Sequence, residues 1–337
     1  MRIALLADLW NPVDRHGLWG RSFITGALAD ELVDRGHDVT LFSSGDSQTK
    51  ARLISIVPKS LKRYDEAKTL ALIKQAYRST DQFDIIHSHI GELGLVGARD
   101  CLTPNLHTFH FARQLSKIPA WQTLLGPKVY FNAISQYMAD LLPATATFLG
   151  VVYNGIYVND FIFNNTPTDR YLFFSRIAKD KGPHLAIEVA KAANIKLDIA
   201  GYIHPLEQDY FNETIKPHLD NKTIRYLGDW QYTDKVAKLG HYRAMIHPIN
   251  LPEAFGLVMV EAMAAGTPVI TFRKGAASEL VDHNNSGFVV DTLDEMIASV
   301  PNVTGLNRTH CRRIADRFSV AVMVDSYERL YHRMVKR

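Results

Sequence analysis

Two glutamates, Glu253 and Glu261, stand eight positions apart in the C-terminal half of the chain. Pro252 and Gly256 predict a loop around the first, and the helix-favouring residues 257–265 predict a helix that carries the second. The first backbone amides of a helix have no partner within it, and the helix dipole favours an anion near them. The segment therefore predicts an anion-binding helix start with a carboxylate at each end.

The residues that follow indicate where this helix ends. Gly266 suits a C-terminal cap, Pro268 cannot continue the helix, and Val269-Ile270 begins a buried strand. Glutamate is common on exposed helix faces, so an isolated pair at this spacing would indicate only a core helix whose acids face water. The agreement of the loop, start and stop signals weakens that interpretation.

A pair of cations forms the second candidate group. Residues 171–175 predict a strand and Pro183 suits the first turn of a helix, which places Arg176 and Lys181 in the loop between them. A guanidinium and an ammonium there could neutralise the charge that develops on a leaving diphosphate. Taken alone, two such residues are more often ordinary surface cations.

His110 is the candidate histidine of the N-terminal half. It ends a strand predicted at residues 106–110, and open parallel sheets place ligands at the carboxyl ends of their strands. His89 ends the strand predicted at residues 84–89 and is the second candidate. The ordinary alternative is a histidine that is only hydrogen-bonded within its loop.

The first elements of the chain form a βαβ unit. A buried strand at residues 3–7 leads through a loop into an amphipathic helix at 21–35 and a second strand at 38–42. A dinucleotide-binding dehydrogenase would need G-x-G-x-x-G in that loop and an acid at the end of the second strand. Gly17 and Gly20 do not have this spacing and the second strand ends without an acid, which argues against that class.

The alternation of strands and helices restarts at residues 171–175, after a linker predicted near residues 154–168. A chain of 337 residues is long enough for two domains of ordinary size. We therefore predict an α/β protein in which residues 1–158 and 159–317 form two domains and residues 318–337 form a closing helix.

Composition and charge narrow the class of protein. Hydrophobic residues make up 47% and charged residues 22% of the chain, as in globular proteins, and a net charge of +3 does not indicate a nucleic-acid partner. Cys101 and Cys311 predict neither a disulfide framework nor a cysteine metal site. The apolar run at the N-terminus is too short for a signal sequence or a membrane span, so a cytoplasmic protein is expected.

The segments around the candidate residues resemble the retaining glycosyltransferases of family 4. The resemblance is strongest over residues 171–290 and looser in the N-terminal half. It implies two Rossmann-like domains facing across a cleft, the GT-B arrangement, with the C-terminal helix crossing back to the N-terminal domain. The residues that follow one another at the spacing of that family are Arg176, Lys181, the run 252–256 and Glu261.

The same resemblance implies a reaction and a set of roles. A sugar would pass from a nucleoside-diphosphate sugar, a UDP-sugar in preference to a GDP-sugar, to a hydroxyl acceptor by front-face substitution with retention of configuration. Glu253 would contact the donor sugar, Glu261 the ribose hydroxyls, and the Phe255-Gly256-Leu257 backbone the phosphates. The span between the two glutamates is roughly 12 Å if helical, which is about the distance from the sugar of a nucleotide sugar to its ribose. The implied catalytic residues are Glu253, His110, Arg176 and Lys181.

Three further residues are implied to contact the donor. Trp19-Gly20 replaces the adjacent glycines of the family loop near the donor phosphate, and Trp19 could stack on a substrate or anchor the loop. Trp230 lies in the loop expected at the nucleobase, where it could stack on the base or pack within the domain. No Asp-x-Asp metal motif is evident and no cofactor is expected, because a cationic pair can replace Mg²⁺ at the phosphates.

The implied acceptor is a small molecule, a saccharide or a lipid-linked compound. A helix predicted at residues 61–78 has a basic side, and some family members dock on membranes through such a helix, so contact with the inner face of a membrane is one interpretation. The favoured interpretation is a solvated face in which the cations mix with Asp65 and Glu66. The basic residues are Lys59, Lys62, Arg63, Lys68 and Lys74.

Two other functions are compatible with the same fold. A sugar-nucleotide epimerase or a phosphorylase would use a similar donor domain, and an epimerase would need no acceptor. A nucleotide-sugar-binding subunit would bind the donor without turnover. The presence of all four implied catalytic residues argues against the non-catalytic subunit.

Overall fold

The chain divides into two compact units, one formed by Met1–Gly155 with Val320–Arg337 and the other by Ile156–Ser319. Each unit combines a parallel sheet with helices, so the predicted α/β class with two Rossmann-like domains is confirmed. The structure is a computed structural model, and it describes residues 1–17, 19–115, 118, 125–126, 128–144 and 146–336.

The first unit is built on a sheet whose described strands are all parallel to their neighbours. The strands are β1 (Arg2–Leu6), β2 (Asp38–Phe42), β3 (Arg52–Ile54), β4 (Ile85–Ser88), β5 (Asn105–Thr108), β6 (Val129–Ala133) and β7 (Phe148–Val151). Their order across the sheet is β3-β2-β1-β4-β5-β6-β7. Continuous burial of β1 from Ile3 to Leu6 is typical of a parallel strand covered on both faces.

The helices of the first unit connect and cover these strands. Those that the structure describes are α1 (Gly20–Asp34), α2 (Glu66–Tyr77), α3 (Ala112–Leu115) and α4 (Gln136–Asp140), with 3-10 helices at Thr80–Gln82 and Glu92–Gly97. The apolar side of α2, with Leu72 and Ile73, packs on Leu6 and Ile86 of the sheet.

The second unit, whose residues are all described, contains a six-stranded parallel sheet. The strands are β8 (Arg170–Phe174), β9 (Lys196–Ala200), β10 (Ile224–Tyr226), β11 (Met245–His247), β12 (Val269–Phe272) and β13 (Gly287–Val290). Their order is β10-β9-β8-β11-β12-β13. Phe173, Ile199, Ile246 and Ile270 from four of these strands share one buried core.

The helices of the second unit are mostly short. The α-helices are α5 (Pro183–Ala192), α6 (Gln208–Tyr210), α7 (Tyr232–Lys238), α8 (Leu257–Ala264), α9 (Ala277–Leu280), α10 (Leu293–Ser299) and α11 (Arg308–Asp316). The 3-10 helices are Val158–Asp160, Lys179–Lys181, Pro205–Glu207, Lys216–His218, Leu239–His241 and Pro301–Gly305, and Phe211–Ile215 is a π-helix.

Each sheet has one point where the direction of winding reverses. In the first unit β1 lies between β2 and β4, and in the second β8 lies between β9 and β11. The loops that leave such neighbouring strands diverge and open a crevice at the carboxyl edge of the sheet. Ligands of the first unit are therefore expected near the loops after β1 and β4, and those of the second near the loops after β8 and β11.

The last helix, α12 (Val320–Val335), belongs to the first unit, as the resemblance implied. Arg35, at the end of α1, donates to Asp325 at 2.5 Å and to Glu328 at 2.7 Å. The Tyr331 hydroxyl lies 2.7 Å from Nδ1 of His87 in β4, and both side chains are fully buried. Arg337, the last residue of the predicted helix, lies outside the described residues.

The basic helix predicted at residues 61–78 is wrong at its start. The helix α2 begins at Glu66 because the Asp65 carboxylate accepts a hydrogen bond of 3.0 Å from the Lys68 backbone amide, as an N-cap does. Three of the five basic residues, Lys59, Lys62 and Arg63, thus lie before the helix. Only Lys68 and Lys74 remain on the helix that was considered for contact with a membrane. No helix among the described residues is long and apolar enough to cross a membrane.

One other predicted element differs from the structure, and one strand was not predicted. The sequence of residues 206–219 predicts a single helix, but the structure has a succession of short 3-10, α and π segments there. Pro217, within it, has no N–H group to donate, so the helical hydrogen bonds cannot continue through it. The strand β11 was not predicted, because Met245–His247 before Pro248 is too short to show the alternation or the apolar run of a strand.

Buried histidines predict a pH-dependent stability of the first unit. Burial lowers the pKa of His107 to about 3, and both its ring nitrogens lack a hydrogen-bond partner among the described residues. The unfolded chain binds a proton near pH 6.5 and the folded one does not, so this stabilisation is complete above pH 6.5 and is lost as pH falls towards 3.

We expect His107→Leu to have the same thermal midpoint as the parent protein at pH 7.5. Between pH 7.5 and 5.5 the midpoint of the variant should fall by about 3 °C less than that of the parent. Scanning calorimetry at the two pH values measures this difference. The control is His332→Leu, at an exposed position of α12. Equal losses for His107→Leu and the parent would contradict the assignment of a neutral buried ring.

Candidate functional site

The loop after β8 positions the predicted cations of the second unit. It forms a 3-10 turn at Lys179–Lys181 and then reaches Gly182, whose φ of +76° is left-handed. A side chain on Gly182 would meet the Pro248 carbonyl oxygen at 2.3 Å. Glycine is required for both reasons, and it lets this loop lie directly against the loop after β11.

Lys181 and Glu253 form an ion pair across these two loops. Their side chains are each 20% exposed, so the pair is accessible to a ligand yet sheltered from bulk water. The Glu253 carbonyl also accepts a hydrogen bond of 2.9 Å from the Ala276 amide, in the loop after β12. The loops that follow three adjacent strands of the sheet, β8, β11 and β12, thus meet at Glu253.

Arg176 lies at the outer side of the same loop. Its guanidinium is 3.2 Å from the Asp180 carboxylate and 3.7 Å from that of Glu207, and its side chain is 40% exposed. Exposed ion pairs of this kind contribute little to stability. The guanidinium can therefore exchange these carboxylates for another anion at small loss of stability.

The helix α8 begins beside Glu253. Its N-cap, Gly256, has φ of +102° and provides no side-chain acceptor for the first amides, and the first turn holds no acid. Phe255 is buried against Phe318, with ring centroids 5.8 Å apart, which fixes the chain as it enters the helix. The structure places the predicted Phe255-Gly256-Leu257 backbone at a helix start, where an anion is favoured.

Glu261, in the second turn of α8, is 3% exposed and pairs with a residue that the sequence reasoning missed. Lys235 of α7 is 6% exposed, and its ammonium lies 2.5 Å from Oε1 of Glu261. One signal in the sequence could have identified Lys235. It lies three residues after Tyr232 on a short helix, so the two side chains share one face, and that face is buried.

Trp230 is placed where packing, and not base stacking, accounts for its ring. It is 2% exposed and packs against Phe174 and Tyr242, with ring centroids 5.3 and 6.2 Å away. Lys238 lies 5.5 Å from the ring centroid as well. The suggestion that Trp230 stacks on a nucleobase is therefore corrected, because the indole offers no open face.

His247, the last residue of β11, is a further side chain that the sequence reasoning missed. It is fully buried, and neither ring nitrogen has a hydrogen-bond partner in this fully described unit. Burial lowers its pKa to about 4, with Lys181 lowering it further and Glu253 opposing. The ring is neutral at neutral pH and lies close enough to the ion pair to feel both charges.

The first unit holds the remaining candidates at its own carboxyl edge. His110 follows β5 and His89 follows β4, and His89 Nδ1 lies 2.9 Å from His110 Nε2. Burial, His89 and the Arg21 guanidinium hold the pKa of His110 well below 6.5, and burial lowers that of His89 to about 3. Both rings are neutral, and a single hydrogen between them links their tautomers.

An ion pair between Arg21 and Asp8 lies beside these histidines and was also missed. The Arg21 guanidinium is 5.5 Å from the centroid of Phe111, the residue after His110. Trp19 is the N-cap of α1, is 45% exposed and makes no side-chain capping bond, and Gly20 is the first residue of the helix. Trp19, Gly20 and His110 thus share one edge of the first unit.

The structure brings together some predicted residues within each unit. In the second unit the loop of Arg176 and Lys181, Glu253 and the start of α8 are adjacent. Among described residues, no group of three or more His, Cys, Asp or Glu side chains is arranged to hold a metal ion. A cavity of about 470 Å³ near Arg243 and Pro268 lies at the amino ends of β11 and β12, the edge opposite to these residues.

The close approach of Gly275 to Glu253 gives a direct test of this geometry. Gly275 has φ of +59°, and a Cβ there would lie 2.2 Å from the Glu253 carbonyl oxygen and 2.5 Å from its amide nitrogen. Neither backbone atom can move without shifting Glu253. We expect Gly275→Ala to weaken binding of the nucleoside diphosphate that the resemblance implies by about tenfold or more, measured by calorimetry, with a lower thermal midpoint.

The matched control is Gly36→Ala, which has φ of +83° but no neighbour within 4 Å of the added carbon. This variant has the same left-handed backbone strain, but its added carbon meets no other atom. Gly36 lies before β2, at the amino edge of the first sheet and not at the carboxyl edge. Equal affinities for Gly275→Ala and Gly36→Ala would contradict the role given to the Gly275–Glu253 contact.

Family models match both parts of the chain. Residues 160–300 match Glycosyl transferases group 1, and residues 24–159 match Glycosyltransferase Family 4. The crystal structure of Anabaena HepE in complex with UDP and glucose superposes with a TM-score of 0.75 and 19% sequence identity, covering 98% of this chain and 99% of that one. The two parallel-sheet units therefore have the fold of GT-B glycosyltransferases.

Sequence relatives agree with the family models. D-inositol 3-phosphate glycosyltransferase of Mycolicibacterium smegmatis is 24% identical over 407 residues, which cover 98% of this chain and 91% of that protein. Glycogen synthase of Mycobacterium tuberculosis is 31% identical over 343 residues, which cover 85% of this chain and 81% of that protein. The chain is a glycosyltransferase and belongs to the group 1 glycosyl transferases, in glycosyltransferase family 4.

Proposed function

We propose that this glycosyltransferase moves a sugar from a nucleoside-diphosphate sugar to an acceptor hydroxyl, with retention of configuration and without a divalent metal ion. The observation that carries the proposal is the Lys181–Glu253 ion pair, at the point where the winding of the second sheet reverses. It joins a cation suited to a phosphate and a carboxylate suited to sugar hydroxyls within one crevice.

The diphosphate of the donor would lie between the cations and the helix start. Lys181 and Arg176 provide two positive charges, and the first amides of α8 provide oriented donors. These groups are in place before the reaction, so they stabilise the charge that develops as the diphosphate leaves. Their arrangement supports departure of the diphosphate without a bridging Mg²⁺.

The two glutamates would hold the groups on either side of the diphosphate. Glu253 orients the sugar and Glu261, four residues into α8, contacts the ribose hydroxyls. His110 is neutral and hydrogen-bonds the sugar as a donor or acceptor, without adding charge. Trp19 and Gly20, at the start of α1, are assigned to the donor as well.

The proposed step is a front-face substitution at the anomeric carbon. The bond from this carbon to the diphosphate oxygen breaks as the acceptor oxygen approaches the same face, through an oxocarbenium-like state. The acceptor hydroxyl gives its proton to the departing diphosphate oxygen. No covalent sugar-enzyme intermediate forms. The acceptor binds mainly to the first unit and the donor mainly to the second.

A UDP-sugar is the preferred donor in this proposal, and a saccharide hydroxyl is the preferred acceptor. The Anabaena HepE structure contains UDP and glucose, which supports a uridine nucleotide. The similarity to a glycogen synthase supports a sugar as the acceptor. A location in the cytoplasm, where nucleotide sugars are made, is part of the same proposal.

The experiment that tests this function begins with thermal shifts for UDP, GDP, ADP, dTDP and their sugars, because a tight ligand raises the thermal midpoint. The best donor is then incubated with a panel of saccharide acceptors, and proton NMR reads the anomeric configuration of the product. We expect the configuration of the donor to be kept and the rate to be unchanged by EDTA. An inverted product, or EDTA inhibition that Mg²⁺ reverses, would overturn the mechanism.

The role of Lys181 is tested by Lys181→Ala, with Lys179→Ala as the control in the same 3-10 turn, where Lys179 is exposed. Loss of a charge-assisted contact to phosphate predicts a nucleoside diphosphate Kd about tenfold or more higher for Lys181→Ala and nearly unchanged for Lys179→Ala. Titration calorimetry gives both constants. Unchanged affinity in Lys181→Ala would remove this residue from the donor site.

A further inference from the structure

The carboxylate of Glu261 is held by a single buried cation. Glu261 and Lys235 are 3% and 6% exposed, and the Lys235 ammonium lies 2.5 Å from one carboxylate oxygen, Oε1. The two residues come from different helices, α8 and α7, and are separated by 26 positions in the sequence. Their contact therefore depends on the tertiary fold and not on local helix geometry.

Lys235 is itself fixed by its surroundings. Its ammonium lies 5.0 Å from the centroid of the Tyr232 ring, at a distance that allows a cation–π interaction. The Tyr232 hydroxyl in turn donates to Asp160 at 2.6 Å. A lysine between a carboxylate and an anchored aromatic ring has few alternative positions, so it determines how the carboxylate of Glu261 is oriented.

The charge of Lys235 also matters for a ligand that carries a diphosphate. Glu261 is four residues into α8, so it lies about 6 Å along the helix axis from the first residue. Without a counter-charge, a carboxylate at that depth would repel an anion bound at the helix start. Pairing with Lys235 leaves a group that can accept hydrogen bonds but has no net charge.

We propose that Lys235 is a positioning residue that directs the carboxylate of Glu261 at the pentose hydroxyls, so that discrimination between ribose and deoxyribose depends on the Lys235–Glu261 pair. The inference rests on the proposed function, in which Glu261 contacts the ribose. Lys235 engages Oε1, and the other carboxylate oxygen then accepts from the sugar. The substrate class that this pair selects is a ribonucleoside diphosphate sugar.

The test measures Kd by titration calorimetry for UDP, GDP and ADP, and for the 2′-deoxy and 3′-deoxy forms of the one that binds best. In the parent protein a deoxy form that lacks the contacted hydroxyl should bind about tenfold or more weakly, because a charge-assisted hydrogen bond is lost. In Lys235→Met the ratio of the two constants should fall to about threefold or less. Most of the change should come from weaker binding of the ribonucleotide.

The matched control is Lys196→Met, which removes another ion-paired lysine of the same unit. Lys196 pairs with Asp169 at 2.7 Å, is 53% exposed and lies at the amino end of β9, opposite to the site. This variant should keep the ratio of the parent protein. If Lys235→Met does not fold, Lys235→Gln, which is shorter and neutral but polar, is measured in its place.

The outcomes separate the two proposals. If the parent protein binds ribo and deoxy forms equally, Glu261 does not contact the ribose and both proposals about it are overturned. If the parent protein discriminates and the Lys235 variant keeps the full ratio, the ribose contact stands and the role of Lys235 is overturned. A lower thermal midpoint with an unchanged ratio identifies Lys235 as a structural residue only.

Discussion

The ion pair between Lys181 and Glu253 is the interaction on which the site in the second unit depends. It connects the loops that follow two neighbouring strands, β8 and β11, at the point where they diverge. Gly182 and Gly275 permit the approach of the backbones, since each has a left-handed φ and a close backbone neighbour. The sheet topology and two glycines therefore determine where a cation and a carboxylate can meet.

The two units supply different kinds of polar group at their carboxyl edges. The second unit presents charges, with Arg176, Lys181 and Glu253 all partly exposed. The first presents His89 and His110 as neutral rings beside the Asp8–Arg21 ion pair, because burial opposes protonation of the histidines. Charged groups suit a diphosphate that gains negative charge, and neutral hydrogen-bonding groups suit hydroxyls.

Much of the fold could be predicted from the sequence because its signals are local. Apolar runs such as Ile3 to Leu6 predicted parallel strands, and the loop, start and stop residues around α8 predicted that helix within one residue. β11 was missed because it has only three residues. The helix predicted at residues 206–219 is broken into short segments, because Pro217 cannot donate a backbone hydrogen bond.

Contacts between distant residues could not be predicted in the same way. Lys181 and Glu253 are 72 positions apart, and Lys235 and Glu261 are on separate helices, so only the folded sheet brings each pair together. The resemblance to a family identified Lys181, Glu253 and Glu261 but gave no reason to expect Lys235. His247 was missed with its strand. Trp230 was assigned to a ligand because its burial against Phe174 cannot be read from the sequence.

The position of α12 in the first unit has a consequence for synthesis on the ribosome. The second unit is one uninterrupted stretch of chain, whereas the first is completed only by residues that follow it. His87 and Thr108 have Tyr331 and Tyr327 of α12 as buried partners, and these tyrosines are translated after the second unit. Proteins with several domains usually fold the N-terminal one first during translation. Here the first unit can be completed only after the whole second unit has been translated.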